Sequence, residues 1–235
     1  MLVLAFGLTA RLTSAARVRE LGGRLVELFP AQLGAPHAVA RLIDAGTGLT
    51  LVQGLLALLP MSLYGEGLRR ALLRFTGDRA GVSGWRGRLA AVPVLLITPV
   101  LLYPLLLTVP VMADLAENGG PGPMLARIAI GFYGVLAALI VPLAWGYRIV
   151  GSARVRWTAL AGGAAFTAAC LSGFLQGFVL FLSLPLDLGA PFGGLTVVGG
   201  VVAVGFGLFR LHLVVLVGWL FTQALDEVLE RRRRR

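Results

Sequence analysis

The chain reads as an all-α, polytopic transmembrane helical bundle, with five full spans plus a partial N-terminal span of a six-helix arrangement. Composition is the first reason. Of 235 residues, 57% are hydrophobic and only 14% charged, against about 25% charged in an average soluble domain. With a mean hydropathy of +0.87, such a chain lacks the polar surface to cover itself in water. The second reason is run length, because five stretches approach or exceed the ~20 residues that cross the hydrocarbon as a helix. The third is their texture. None of the five contains an acidic residue, and none shows the in/out alternation of a membrane barrel. Backbone groups in lipid must be satisfied within the segment, which leaves helices.

Taken in order, Met1 to Ala10 is apolar but too short to span. It lacks the basic start and small-residue cleavage site of a signal peptide, and is read as the outer half of a sixth span whose beginning is absent. Residues 11–45 follow as an external amphipathic segment. Val18, Leu21, Leu25 and Leu28 recur at helical spacing, with Arg17, Glu20, Arg24 and Glu27 on the other face and Gly22 and Gly23 weakening the middle. That is the pattern of an interfacial helix lying on a membrane. The five spans run from Gly46 to Tyr64, Leu89 to Ala113, Ile128 to Tyr147, Thr158 to Leu184 and Leu195 to Thr222, occupying 46–222. An Arg-rich tail, 223–235, closes a single membrane domain covering 1–235.

All 21 basic residues are arginine, and the formal net charge is +10. In a soluble chain this would suggest nucleic acid. Here the arginines sit mainly between apolar runs, where they set orientation instead, so no nucleic-acid partner is expected. Arg69, Arg70, Arg74, Arg79, Arg86 and Arg88 fill one gap, Arg148, Arg154 and Arg156 the next on that side, and Arg231 to Arg235 the tail. The two opposite loops hold Arg127 alone, with Asp114, Glu117 and Asp187. The positive-inside rule then puts the C-terminus in the cytoplasm, at a bacterial inner (plasma) membrane. Arg11, Arg17, Arg19, Arg24 and Arg41 fall outside in that arrangement; a full helix at Met1–Ala10 would restore an even number of spans with both ends cytoplasmic. Membrane lipids, anionic ones among them, are the expected partners, since the tail attracts acidic headgroups at roughly 1 kcal/mol per residue near the surface. The single Cys170 rules out an intramolecular disulfide and a cysteine-rich metal site, and no cofactor is expected.

Several side chains within the spans are candidates for function. Arg210 lies near the middle of the last apolar run, about twelve residues or ~18 Å of helix from Thr222, where an arginine costs roughly 2.5–3.5 kcal/mol to insert. Gly200, Ala203 and Gly207 precede it on roughly one face, so it is expected to share their seam and point into the bundle. With no carboxylate in mid-span, two partners are open. One is a set of backbone carbonyls freed in the second span, where Pro93, Pro99, Pro104 and Pro110 each remove a donor and release acceptors such as Leu95 and Val100. The other is a carboxylate or phosphate headgroup in a wet cavity. His212 is ~200° round the helix from Arg210 and reads as a packing residue more readily than as a proton relay. Gln176, between Gly173 and Gly177, reads as an interhelical hydrogen bond beside a close Gly-x-x-x-Gly approach, with a substrate contact as the alternative. Four prolines in one span mean a bent or discontinuous helix, the kind transporters place at binding sites.

The order of blocks carries a resemblance. Around Ser62, Leu68, Ala71, Leu72 and Arg74 a span empties into a short basic helix. From Tyr147 a basic turn with Val155 and Trp157 leads to Gly163 and Ala164, opening a span that reaches Phe178. A glycine loop at Gly193 and Gly194 precedes the last span, which contains Gly218. In this sequence of features the chain resembles, over nearly its whole length, the YihY/BrkB family of bacterial inner-membrane proteins, once mislabelled ribonuclease BN. It departs from the family's usual proline at Gly151 and Ser152, from a tryptophan at Phe209, and from an acidic residue after Gly218, where Trp219 and Leu220 stand. The resemblance implies a six-helix membrane protein with a proposed role in transport or envelope integrity, and brings no catalytic residues. The nuclease label fails on chemistry: metal-dependent cleavage needs clustered His and acidic ligands, whereas His37 and His212 lie in different segments, outside any H-x-H or H-E-x-x-H pattern.

Three functional readings follow. One is a transporter or flippase-like protein for an anionic amphiphile, with Arg210 as anchor and the proline-broken span as moving part. Another is a non-transporting scaffold that supports envelope integrity. The third, a lipid enzyme acting through Asp187 or Glu117, is the weakest, because no nucleophile–base pair or metal cluster is visible, and the chain is not expected to be an enzyme.

Overall fold

A computed structural model describes residues 2–29, 35–76, 92–150, 155–182, 184 and 190–234. Arg79, Arg86, Arg88, Arg154, Arg235, Asp187, Gly151, Ser152 and the expected span start at Leu89 lie outside the described residues. Within them all regular structure is helical. The helices are α1 (Leu2–Leu12), α2 (Ala15–Glu27), α3 (Ala35–Thr47), α4 (Leu51–Thr76), α5 (Val92–Leu107), α6 (Val109–Glu117), α7 (Pro121–Val150), α8 (Trp157–Leu182) and α9 (Thr196–Arg233), with a 3₁₀ turn at Ala190–Phe192 before α9. Among the described residues four stretches are long and apolar enough to cross a membrane: Pro99–Glu117, Pro121–Ile149, Trp157–Phe181 and Val197–Arg233. The last belongs to a helix of 38 residues, ~57 Å long. Ahead of it Gly193 and Gly194 both take positive φ, 66° and 85°, a conformation in which a Cβ would clash.

The expected first full span begins later than Gly46. Gly46 lies in the last turn of α3, the chain reverses through Gly48 and Leu49, whose amides bond to the Asp44 and Gly46 carbonyls at 2.9 and 3.1 Å, and α4 starts at Leu51. The reason is a crossing. A Cβ on Gly46 would stand 2.6 Å from the Phe6 Cβ and 2.9 Å from the Val3 carbonyl, and one on Gly7 would stand 2.9 Å from the Gly46 carbonyl. Gly46 is therefore the point where α3 meets α1, and it cannot also open the next span. The apolar part of α4, Leu51–Pro60, is shorter than a full span.

The helices form two groups. In the first, α1, α2 and α3 pack on one another and on α5 and α6, burying Phe6, Val18, Leu21, Ile43 and Leu106 in one cluster. The amphipathic segment thus folds as a helix, but its apolar face is closed by protein rather than laid on lipid: Val18 and Leu21 are buried. Nor does its glycine pair interrupt it. Gly22 takes the Ile43 side chain of α3 at a distance where a Cβ would come within 2.7 Å of Cδ1. The polar face is left outside, where Glu20 pairs with Arg17 at 2.8 Å and Arg24 at 3.8 Å and raises the Arg17 pKa above its ordinary value. In the second group α7, α8 and α9 pack side by side, α8 between the other two, and α5 and α6 join it by lying against α7. Outside these contacts α4 and the first half of α9 present apolar side chains outward, among them Leu55, Leu59, Val197 and Val201.

Neighbouring glycines of α2 give a test by opposite signs. Gly23 has nothing within 4 Å of a built Cβ, so Gly23→Ala is expected to stabilise by up to about 1 kcal/mol through helix propensity. Gly22→Ala is expected to destabilise by about 1–3 kcal/mol, because Ile43 has to move. Apparent Tm in detergent reads both; two shifts of the same sign would contradict the packing of α2 on α3.

Candidate functional site

Arg210 stands on the outer face of α9 and is exposed. Its guanidinium carbon lies 4.7 Å from the centre of the Phe206 ring, one turn back. This corrects the expectation that it points into the bundle. The small-residue seam exists only in part: Gly207 faces the Phe178 ring of α8, with a Cβ position 3.4 Å from it. Three residues on, a helix has turned about 60° out of register with Gly207, and the long side chain swings to the outside, toward the N-terminal end as helical side chains do. The staple to α5 is corrected too. The proline-rich helix packs on α1, α2, α6 and α7, whereas α9 packs mainly on α8 and touches α4, and no hydrogen bond joins Arg210 to Leu95 or Val100 among the described residues. His212 is half-buried on a different side of α9, so the two do not make one site.

Gln176 is seated between helices. Its Nε2 donates to the Ile128 carbonyl of α7 at 3.1 Å, over Gly131, whose absent Cβ would lie 2.7 Å from that nitrogen. Ser172, one turn earlier, donates to the Phe132 carbonyl at 2.7 Å. The flanking Gly-x-x-x-Gly pair is not a close approach: Gly177 has nothing within 4 Å of a Cβ position and Gly173 only Phe132 at 4.0 Å. What α7 needs at this level is one missing side chain, Gly131, to admit the amide.

The proline-rich span changes its hydrogen bonding at a single residue that keeps helical dihedrals, Thr108 at φ −79° and ψ −17°, and the apolar stretch Pro99–Glu117 runs through it. Pro93, Pro99 and Pro104 lie in α5, the helix stops at Leu107, and α6 restarts with Pro110 in its first turn. Thr108 occupies the joint. Its hydroxyl donates to the Leu105 carbonyl at 2.7 Å and its own carbonyl accepts from Met112 at 3.0 Å, so these two carbonyls are satisfied locally.

A buried polar cluster escaped the sequence reading. On α8, Gly163 and Thr167 are four apart; on α9, Gly218 and Thr222 repeat the spacing. A Cβ on Gly163 would overlap Thr222 Oγ1, and one on Gly218 would overlap Thr167 Oγ1. Each threonine sits on the other helix's glycine while its hydroxyl bonds to its own glycine's carbonyl, both at 2.7 Å. Tyr147 of α7 joins them, its hydroxyl 3.0 Å from Thr167 Oγ1 and 2.9 Å from the Val215 carbonyl, to which it donates. Two hydroxyl protons, those of Tyr147 and Thr167, serve three contacts, so one contact always lacks a proton. The Trp219 ring packs 5.4 Å from Tyr147, and its buried Nε1 finds no acceptor among the described residues. The paired Gly-x-x-x-Thr spacing is the signal that could have located this cluster. Just beyond it, Arg148 lies over Trp157 at 4.9 Å, and Asp226 takes the Arg156 amide at 3.2 Å and approaches its Nε at 3.8 Å.

These apolar helices, joined by glycine contacts and interhelical hydrogen bonds, define a multi-pass helical membrane protein. The chain belongs to the virulence factor BrkB family, whose sequence profile matches residues 1–235, in agreement with the resemblance carried by its order of blocks. No curated protein and no solved structure matches it.

The α8–α9 crossing ranks two substitutions. Gly218→Ala forces the helices apart and is expected to cost about 1–3 kcal/mol. Tyr147→Phe removes hydrogen bonds that are worth roughly 0.6 kcal/mol each in a membrane. The glycine variant should lower the apparent Tm in detergent further; the reverse order would mean that the hydroxyl, not the backbone approach, holds this crossing.

Proposed function

We propose that this BrkB-family protein is a transporter or flippase-like protein for an anionic amphiphile, working in the bacterial inner membrane with its C-terminus in the cytoplasm. In this reading α4 over its 26 residues, Leu51–Thr76, supplies a fifth crossing and α1 the partial sixth. The observation that carries it is the outward Arg210. It stands on the 38-residue α9, among exposed Phe206, Leu208 and Phe209, with an aromatic ring as its contact. A cation over a ring recovers about 0.5–2 kcal/mol, less than the roughly 2.5–3.5 kcal/mol an arginine costs at mid-membrane. A phosphate or carboxylate headgroup meeting it closes the gap with a charge-assisted hydrogen bond. The joint at Thr108 supplies the moving part, acting through α7, on which both α5 and α6 lie. The protein carries out no chemical conversion in this scheme and needs no cofactor.

A second reading, a non-transporting scaffold that supports envelope integrity, draws on the interior. Tyr147, Thr167, Ser172, Gln176 and Thr222 all direct their hydrogen bonds within the bundle, as fixed packing requires and as a polar path would not.

Reconstitution into liposomes containing a fluorescent anionic lipid analogue separates the two. Transport predicts flux in the wild type and a loss of about tenfold or more in a still-folded Arg210→Ala, the scale of one charge-assisted hydrogen bond. Equal flux in both would remove Arg210 from the mechanism, and no flux in either would favour the scaffold.

A further inference from the structure

An apolar slot of about 140 Å³ runs between α1 and α4, walled by Leu4 and Leu8 on one side and Leu51, Leu55 and Leu58 on the other. That is close to the ~150 Å³ apolar cavity that accepts benzene in an engineered core, so it has room for a short length of hydrocarbon. Leu51 and Leu55 are themselves exposed, at 69% and 66%, and the slot therefore opens to the outside of the bundle. Gly54 keeps it clear: a Cβ there would meet Leu49 and Leu4 only at 3.7 and 3.8 Å, and any longer side chain would enter the space.

One end of the slot is cationic. Arg11, which lines it, donates from Nη2 to the Leu49 carbonyl at 3.0 Å, and Arg19 of α2 donates from Nε to Thr47 Oγ1 at 3.0 Å. Both acceptors are neutral. Among the described residues neither arginine joins an ion pair: Glu20 is taken by Arg17 and Arg24, and the exposed Asp44, one turn from Thr47, pairs with none. Two full positive charges thus face outward beside the turn between α3 and α4. The level is also where α1 passes from apolar to charged and where the turn holding Thr47 and Thr50 gives way to the apolar stretch Leu51–Pro60 of α4, the change of character found at a membrane's headgroup layer.

We propose that this slot binds one anionic phospholipid, with an acyl chain between α1 and α4 and the phosphate held by Arg11 and Arg19. A hydrocarbon tail alone would explain the slot but not the cations at its end. A free phosphate would explain the cations but not the slot. A phospholipid has both parts, joined at the spacing of a headgroup above its chain. The site is separate from Arg210 and does not depend on the transport reading.

The test is lipid retention by native mass spectrometry, after reconstitution in nanodiscs of equimolar phosphatidylglycerol and phosphatidylcholine and extraction into detergent. It is run in the wild type and in Arg210→Ala, so that a lipid held at α9 is not counted here. Retained phosphatidylglycerol should exceed phosphatidylcholine by about tenfold, the scale of a charge-assisted contact. In the Arg210→Ala background, Arg11→Gln should abolish the preference and Arg11→Lys should keep most of it. Gly54→Leu, which fills the slot, should lose retention of both lipids with the apparent Tm preserved. Equal retention of the two lipids by Arg210→Ala, a preference untouched by Arg11→Gln, or full retention by Gly54→Leu would each overturn the site. Displacement of the bound lipid by inorganic phosphate would do the same. If Gly54→Leu fails to fold, the lipid preference and its response at Arg11 still decide.

Discussion

Thr167 and Thr222 each rest on a glycine of the opposite helix, and the close backbone approach they allow organises the C-terminal half of the molecule. In hydrocarbon the helices gain nothing from the hydrophobic effect by associating, since lipid tails are as apolar as leucine. Contact has to come from close packing and from hydrogen bonds. The two Gly-x-x-x-Thr steps provide both, because the hydroxyl that fills the glycine's vacancy is satisfied by a carbonyl of its own helix. Only with α8 and α9 this close can Tyr147 reach from α7 to the Val215 carbonyl. Further along α7, the same economy of space recurs where Gln176 enters over Gly131.

That clamp also decides what Arg210 can do. Gly218 and Arg210 are eight residues apart on one helix, ~12 Å of rise, so α9 leaves the crossing and carries the arginine onto a stretch with few protein neighbours. An interior position would have required acceptors. The acceptors named inside the bundle already receive hydroxyl or amide protons from Thr167, Thr222, Ser172, Gln176 and Tyr147, and the proline-rich helix packs on α1, α2, α6 and α7 while α9 packs mainly on α8. A long, flexible cation without a buried partner goes to the surface, and Phe206 is what it finds there. The N-terminal group repeats the theme in another form: Arg11 and Arg19 rest on neutral oxygens and keep their charge facing out. Both halves thus combine apolar surface with arginine, the pairing that an anionic amphiphile complements.

Where the sequence reading went astray, the cause is the same each time. Gly173 and Gly177 have the familiar spacing of a close helix pair yet meet nothing nearer than Phe132 at 4.0 Å, while Gly163 and Gly218, marked only as part of a family pattern, form the tightest glycine contacts among the described residues. Gly46 looked like the start of a span and proved to be a crossing point with α1. A helix that is apolar on all sides does not announce which side meets a neighbour. The amphipathic α2 does announce it, and its residues Val18 and Leu21 are indeed buried, although against protein and not lipid. Periodicity distinguishes an apolar face from a polar one; it does not say what covers the face.

The sequence by itself determined the helical membrane class, the family and the presence of four long apolar helices, of which only Trp157–Phe181 has both ends within three residues of the expected span, because these follow from composition, run length and local backbone chemistry. The tertiary structure alone decided the partners: which glycine receives which threonine, that Gln176 bonds to Ile128, that Arg210 faces outward, and that a slot opens beside Arg11. Those outcomes depend on which faces of uniformly apolar helices meet, a choice made by shape and by the few polar groups that must find each other, and neither leaves a period in the sequence.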